Sequence, residues 1–116
     1  MTSNKEPKTF EQAVDQILGE MRATMIKKQF DYGPGNIAEF GELGVLVRTA
    51  DKYNRLKNLL YAQGGEPRNE SLDDTWLDLA DYGLIALMVR RGTWGLPLEG
   101  TWGLPLEAAK LGEDGV

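Results

Sequence analysis

The sequence predicts an all-α fold, a bundle of three main helices. Two observations carry that prediction. Three segments place their apolar residues at helical spacing, and two Gly- and Pro-containing turn clusters separate them. A length of 116 residues sets the frame as one domain. Residues 1–8 read as a frayed, disordered tail, 9–91 as the helical domain and 92–116 as a C-terminal tail.

The first helix is expected over 10–29. Thr9 followed by Gln12 is a capping-box pattern, and Phe10, Val14, Ile17, Leu18, Met21 and Met25 follow with helical periodicity. The cluster Asp31-Tyr32-Gly33-Pro34-Gly35-Asn36 predicts a turn. The second helix is expected over 37–62, with Phe40, Leu43, Leu46, Val47, Ala50 and Tyr53 as its core-facing stripe and Leu56 and Leu60 continuing around it. A break follows at 63–69, QGGEPRN. Ser71, with Asp74 three residues on, opens a third helix over 72–90. Beyond Ala80 that helix is apolar nearly all round, from Tyr82 to Val89. Three helices cannot cover such a surface, so contact with another subunit is expected. The tail repeats GTWGLPLE at 92–99 and 100–107. That repeat reads either as a duplication in a tolerant tail or as a pair of tryptophan anchors, Trp94 and Trp102, for a partner.

Composition removes several chemistries. There is no Cys and no His, so disulfides, thiol and imidazole catalysis and the usual zinc sites are excluded. Thirteen Lys and Arg against eighteen Asp and Glu give a net charge of −5, which argues against broad nucleic-acid binding. No apolar run approaches a membrane span and no signal peptide is expected, which points to the cytoplasm. Catalysis would rest on carboxylates, Lys, Arg, Tyr, Ser or Thr, with a hard cation on oxygen ligands.

Two charged stripes fit that chemistry. Arg48, Asp51, Lys52 and Arg55 fall on one face of helix two, with Gly41 and Gly44 above them. Each helical glycine costs roughly 0.5–1 kcal/mol relative to Ala, which close approach of a ligand or a helix would justify. The cations suit a triphosphate. Glu70, Asp74, Asp78 and Asp81 form an acidic stripe on helix three, where like charges one turn apart repel. Mg²⁺ or Mn²⁺ on these acids would remove the repulsion. Two plainer readings stand beside this one: dipole-favoured acids at a helix start, and salt bridges between the stripes. Glu39 and Glu42 form an E-x-x-E on the apolar side of helix two. Tyr32 either stacks on a base or simply packs, with Lys28 one turn before it.

Three segments together carry a family resemblance: K-x-x-D-Y-G at 28–33, G-x-L-V-R-x-A-D-K-x-x-R-L at 44–56 and E-S-x-x-D-T-x-x-D-L-A-x-Y at 70–82. Over about residues 10–90 the chain resembles the phage nucleotide-modification-associated domain, which is similar to the all-α MazG-like and dimeric dUTPase-like nucleotide pyrophosphohydrolases. The resemblance implies a bundle that assembles as a dimer or tetramer. It implies Mg²⁺-dependent cleavage of a nucleoside triphosphate to the monophosphate and pyrophosphate. The superfamily's E-x-x-E and E-x-x-D spacings are met by Glu39/Glu42 and Glu70/Asp73. The family pattern and the helical wheel favour Glu70, Asp74 and Asp78 as metal ligands, with Asp51 assisting catalysis. Lys28, Asp31, Tyr32, Gly33, Arg48, Lys52 and Arg55 would bind substrate. Helix two carries three cations beside the single acid Asp51, where the enzymes carry several acids. That departure keeps open a second reading, a non-catalytic protein that sequesters a nucleotide or a host defence signal. In either reading a phage-encoded protein would work in the host cytoplasm.

Overall fold

The computed structural model describes residues 6–63 and 71–99; the side chains of 62 and 63 are also outside the description. It is all-helical over the described residues, with α1 (Phe10–Tyr32), α2 (Gly35–Lys57) and α3 (Leu72–Arg90). A π-helical segment, Asn58–Gln63, continues directly from α2. No described helix is long and apolar enough to cross a membrane.

Both predicted caps form. The Gln12 N–H donates to Thr9 Oγ1 at 3.1 Å, and Gln12 Oε1 accepts from the Lys8 N–H at 2.8 Å. The Asp74 N–H donates to Ser71 Oγ at 3.0 Å. The first helix runs three residues past the expected end. It stops only where Gly33 takes a φ of 72° and sends its N–H back to the Gln29 carbonyl at 2.8 Å. That left-handed conformation favours glycine. The expected six-residue turn is thus reduced to Gly33 and Pro34, and α2 begins at Gly35.

Helix α2 departs from expectation at two points. It kinks at Gly41, whose φ of 63° and ψ of −151° lie outside helical space. The kink lays Phe40 over Gly44: a Cβ built on Gly44 would come within 2.5 Å of the Phe40 Cβ. The two glycines are therefore explained by the chain's own path, and no ligand is needed to account for them.

The second departure concerns which face is inside. Among the described residues the buried apolar ones are Val45 and Leu56 on α2 and Ile85 on α3, the two helices that touch most. Arg48, Thr49, Lys52 and Arg55 are half-buried on the same side of α2. The stripe expected to form the core, Phe40, Leu43, Leu46, Val47, Ala50 and Tyr53, lies exposed. The face turned toward α3 is instead the one that bears Arg48, Lys52 and Arg55. Helix α1 has no buried residue and touches α3 only locally. On α3, Ile85 is buried while Leu84 and Leu87 remain exposed.

Candidate functional site

The contact between α2 and α3 sorts the charges by pairing them. Lys52 Nζ lies 3.0 Å from Asp78 Oδ2, with both side chains about a quarter exposed. One turn away, Arg55 Nε donates to Thr75 Oγ1 at 3.0 Å. The Thr75 hydroxyl donates in turn to the Ser71 carbonyl at 3.2 Å, and Thr75 is wholly buried. This chain of bonds satisfies a hydroxyl that would otherwise cost roughly 1–3 kcal/mol to bury.

Beyond Asp78 the helices part around a cleft of about 350 Å³. Lys28 and Tyr32 reach it from α1, Arg48 from α2, Asp78 and Asp81 from α3, and Trp94 from the segment after α3. The late end of α1 matters here, because helical geometry through Tyr32 keeps Lys28 and Tyr32 on one face. Trp94 is held at both ends. Its Nε1–H donates to the Pro34 carbonyl at 3.0 Å, and its own carbonyl accepts from Gln29 Nε2 at 3.3 Å. Gly92, at φ 73°, turns the chain toward that position, and the Thr93 N–H and hydroxyl both donate to the Met88 carbonyl.

Asp81 is the unusual group. It is 7% exposed, and its Oδ1 has no hydrogen-bond partner. Burial raises its pKa above 3.8, the nearby Asp78 charge raises it further, and Lys28 opposes both. A buried carboxylate oxygen with no hydrogen-bond partner, in a residue lining a cleft with two cations and three aromatic rings, suits a ligand.

Of the residues expected to act, the cleft gathers Lys28, Tyr32, Arg48 and Asp78. Lys52 is paired to Asp78 at its edge, and Arg55 is bonded to Thr75 a turn away. Asp31, Gly33, Asp51 and Asp74 do not line it. Asp51 and Asp74 are exposed, and the Asp74 N–H serves the cap of α3. Glu70 lies outside the described residues, as does Trp102. Glu39 is exposed, and Glu42 pairs with Arg90 at 2.9 Å on the surface. Among the described residues no three acids cluster as ligands for a metal. The donors that fit one are Asp78 and the unpartnered Asp81, since Mg²⁺ is content with one or two carboxylates plus water and phosphate oxygens.

Sequence reasoning put Asp81 in the acidic stripe but not in the site. Burial singles it out, and burial is invisible in a stripe. Thr75 carried no signal of its own. Trp94 was legible as an anchor, but its seat against Pro34 was not. A larger groove of about 690 Å³ lies between α1, α3 and residues 93–99; its described lining is mostly apolar, with Arg22 and Glu99 as its charges. The charged chemistry belongs to the smaller cleft. Comparison of the chain with family models, curated proteins and solved structures found no match.

Proposed function

We propose that the cleft binds a nucleoside triphosphate and, with Mg²⁺ or Mn²⁺, cleaves it to the monophosphate and pyrophosphate. The observation that supports this most is Asp81, whose buried Oδ1 has no hydrogen-bond partner and which lines a cleft together with Lys28, Arg48, Tyr32 and Trp94. Lys28 and Arg48 would take phosphate oxygens, Arg48 by forked hydrogen bonds and Lys28 as a point charge. Tyr32 and Trp94 offer ring faces to the base. Asp78 and Asp81 would hold the cation, which when bound neutralises phosphate charge and lowers the pKa of a water. In the reaction, water oxygen bonds to the α-phosphorus, the bond from α-phosphorus to the bridging oxygen breaks, and pyrophosphate leaves with its electron pair. The water's proton would pass to an oxygen of the leaving pyrophosphate, since Asp78 and Asp81 would be committed to the cation. The protein would work as a homo-oligomer in the cytoplasm, serving phage nucleotide metabolism or base modification.

A second reading is favoured by one observation. Lys52 already occupies Asp78, and the one acid on the cationic strip of α2, Asp51, does not line the cleft. A protein so built would hold a nucleotide without turning it over. One experiment separates the two. Purified protein is incubated with mixed nucleotides and Mg²⁺, and the products are read by mass spectrometry. Monophosphate and pyrophosphate support the enzyme, while an intact nucleotide bound and recovered supports the binder. Neither outcome, together with no binding by calorimetry, rejects both.

A further inference from the structure

We propose that the outward face of α2 is the seat of a second copy of this chain, docked antiparallel so that Leu43 of one copy meets Tyr53 of the other and Leu46 meets Ala50. This deepens the homo-oligomer reading by naming the face and its direction, and it depends on no reading of the cleft.

The starting point is the reversal of faces on α2. The side turned toward α3 carries Arg48, Lys52, Arg55, Val45 and Leu56. The side turned away carries Leu43, Leu46, Val47 and Tyr53, each between 57% and 74% exposed. Scattered exposed leucines need no explanation, but a continuous row does. Leu43, Leu46, Ala50, Tyr53 and Lys57 follow spacings of three, four, three and four residues. That alternation is the seam by which two helices pack side by side. Phe40, 64% exposed, extends this row past the kink at Gly41. A small ligand or a short peptide would leave most of such a row uncovered. A second copy presents an equal row.

Direction follows from what each arrangement puts opposite what. A parallel pair sets every residue against itself. Tyr53 would meet Tyr53, Ala50 would leave a gap against Ala50, and Lys57 would repel Lys57. An antiparallel pair centred near Arg48 sets small against large, Ala50 on Leu46, and sets Leu43 on the Tyr53 ring. It also carries Lys57, whose Nζ already lies 5.5 Å from the centre of its own Tyr53 ring, toward Glu39 and Glu42 of the other copy. Opposed helix dipoles add to the preference.

The chain has no cysteine, so introduced thiols report alone. Leu43→Cys and Tyr53→Cys are prepared separately, mixed under mild oxidation and resolved by mass. The expected product is the mixed disulfide, because like positions of an antiparallel pair lie about 15 Å apart along the axis, too far to bridge. Unmixed Leu43→Cys that bridges to itself overturns the antiparallel arrangement. A wild-type chain that is monomeric by light scattering at ten-micromolar concentration overturns the interface. So does a dimer in which neither bridge forms. Leu46→Glu is expected to weaken dimerisation at least tenfold while leaving the helical circular dichroism unchanged. A dimer that binds no nucleotide, or a monomer that does, shows which of the two proposals has failed.

Discussion

The two faces of α2 exchange the roles their composition suggests. One is a row of Phe, Leu, Val and Tyr and lies in the open; the other bears Arg48, Lys52 and Arg55 and lies against α3. The reason is complementarity. The face of α3 that meets α2 brings Asp78 and Thr75, which take Lys52 and Arg55 at 3.0 Å each, and the apolar contact needed between them is supplied by Val45, Leu56 and Ile85. An apolar stripe on a helix says that something covers it, but not that the cover lies in the same chain.

The largest test of this contrast compares two leucines on α2. Leu56→Ala, on the inner face, should cost about 2–5 kcal/mol, because it empties part of a very small core. Leu43→Ala, on the outer face, should cost less than ~0.5 kcal/mol when the protein is dilute enough to be monomeric. Thermal melts over a concentration series check both. Equal losses at every concentration would break the distinction between the faces.

Next in size is Thr75→Val, which keeps the shape but removes the oxygen that receives Arg55. A loss of about 1–3 kcal/mol by urea denaturation is expected, since the Arg55 Nε–H is left without this acceptor. A neutral result would mean that the inner charges are not held by their bonds.

Asp81→Asn should stabilise the protein at neutral pH, by on the order of 1 kcal/mol, or roughly 4–8 °C in Tm. The native pKa of Asp81 is raised above 3.8, so the folded state binds its proton more tightly than the unfolded state does. That contribution to stability is complete below pH 3.8 and is lost as pH rises through the raised native value. The gain from Asn should therefore vanish in acid. A melting difference that does not change with pH would remove the case for a strained carboxylate.

The smallest effect is expected at Glu42→Gln. The Arg90 pair it breaks is short, at 2.9 Å, but more than half of the Arg90 side chain is exposed and half of Glu42. A change within ~0.5 kcal/mol, screened by salt, is expected in the same melts.

How much of this was legible in the sequence depends on the range of the interaction. Local signals were read well. Thr9 and Ser71 cap where their spacing to Gln12 and Asp74 says, and α3 runs from Leu72 to Arg90 as expected. The end of α1 was misplaced because Asp31 and Tyr32 look like turn residues, while the backbone turns only at Gly33. The face of α2 was misjudged because a stripe carries no record of what packs on it. The glycines at 41 and 44 were noticed, but their cause lies in a kink that no periodicity shows. Lys28, Tyr32, Arg48 and Asp78, all named as candidates in the sequence, line one cleft. Asp81 and Trp94 were not foreseen there, because one is distinguished by burial and the other by hydrogen bonds to α1 and the turn after it.

The Trp94 hydrogen bond to Pro34 spans sixty residues of sequence. Closing a loop of that length costs up to about 1 kcal/mol more than the α2–α3 contacts, whose partners lie 20 to 48 residues apart. The wall of the cleft is expected to open more readily than the middle of α3, since one segment held by few hydrogen bonds forms it. Amide exchange at Thr93 should outpace exchange in the middle of α3, although the two are neighbours in sequence. Because synthesis runs from the N-terminus, the residues of all three helices are added before Trp94 is. The cleft is thus closed by a contact that reaches across the described helices.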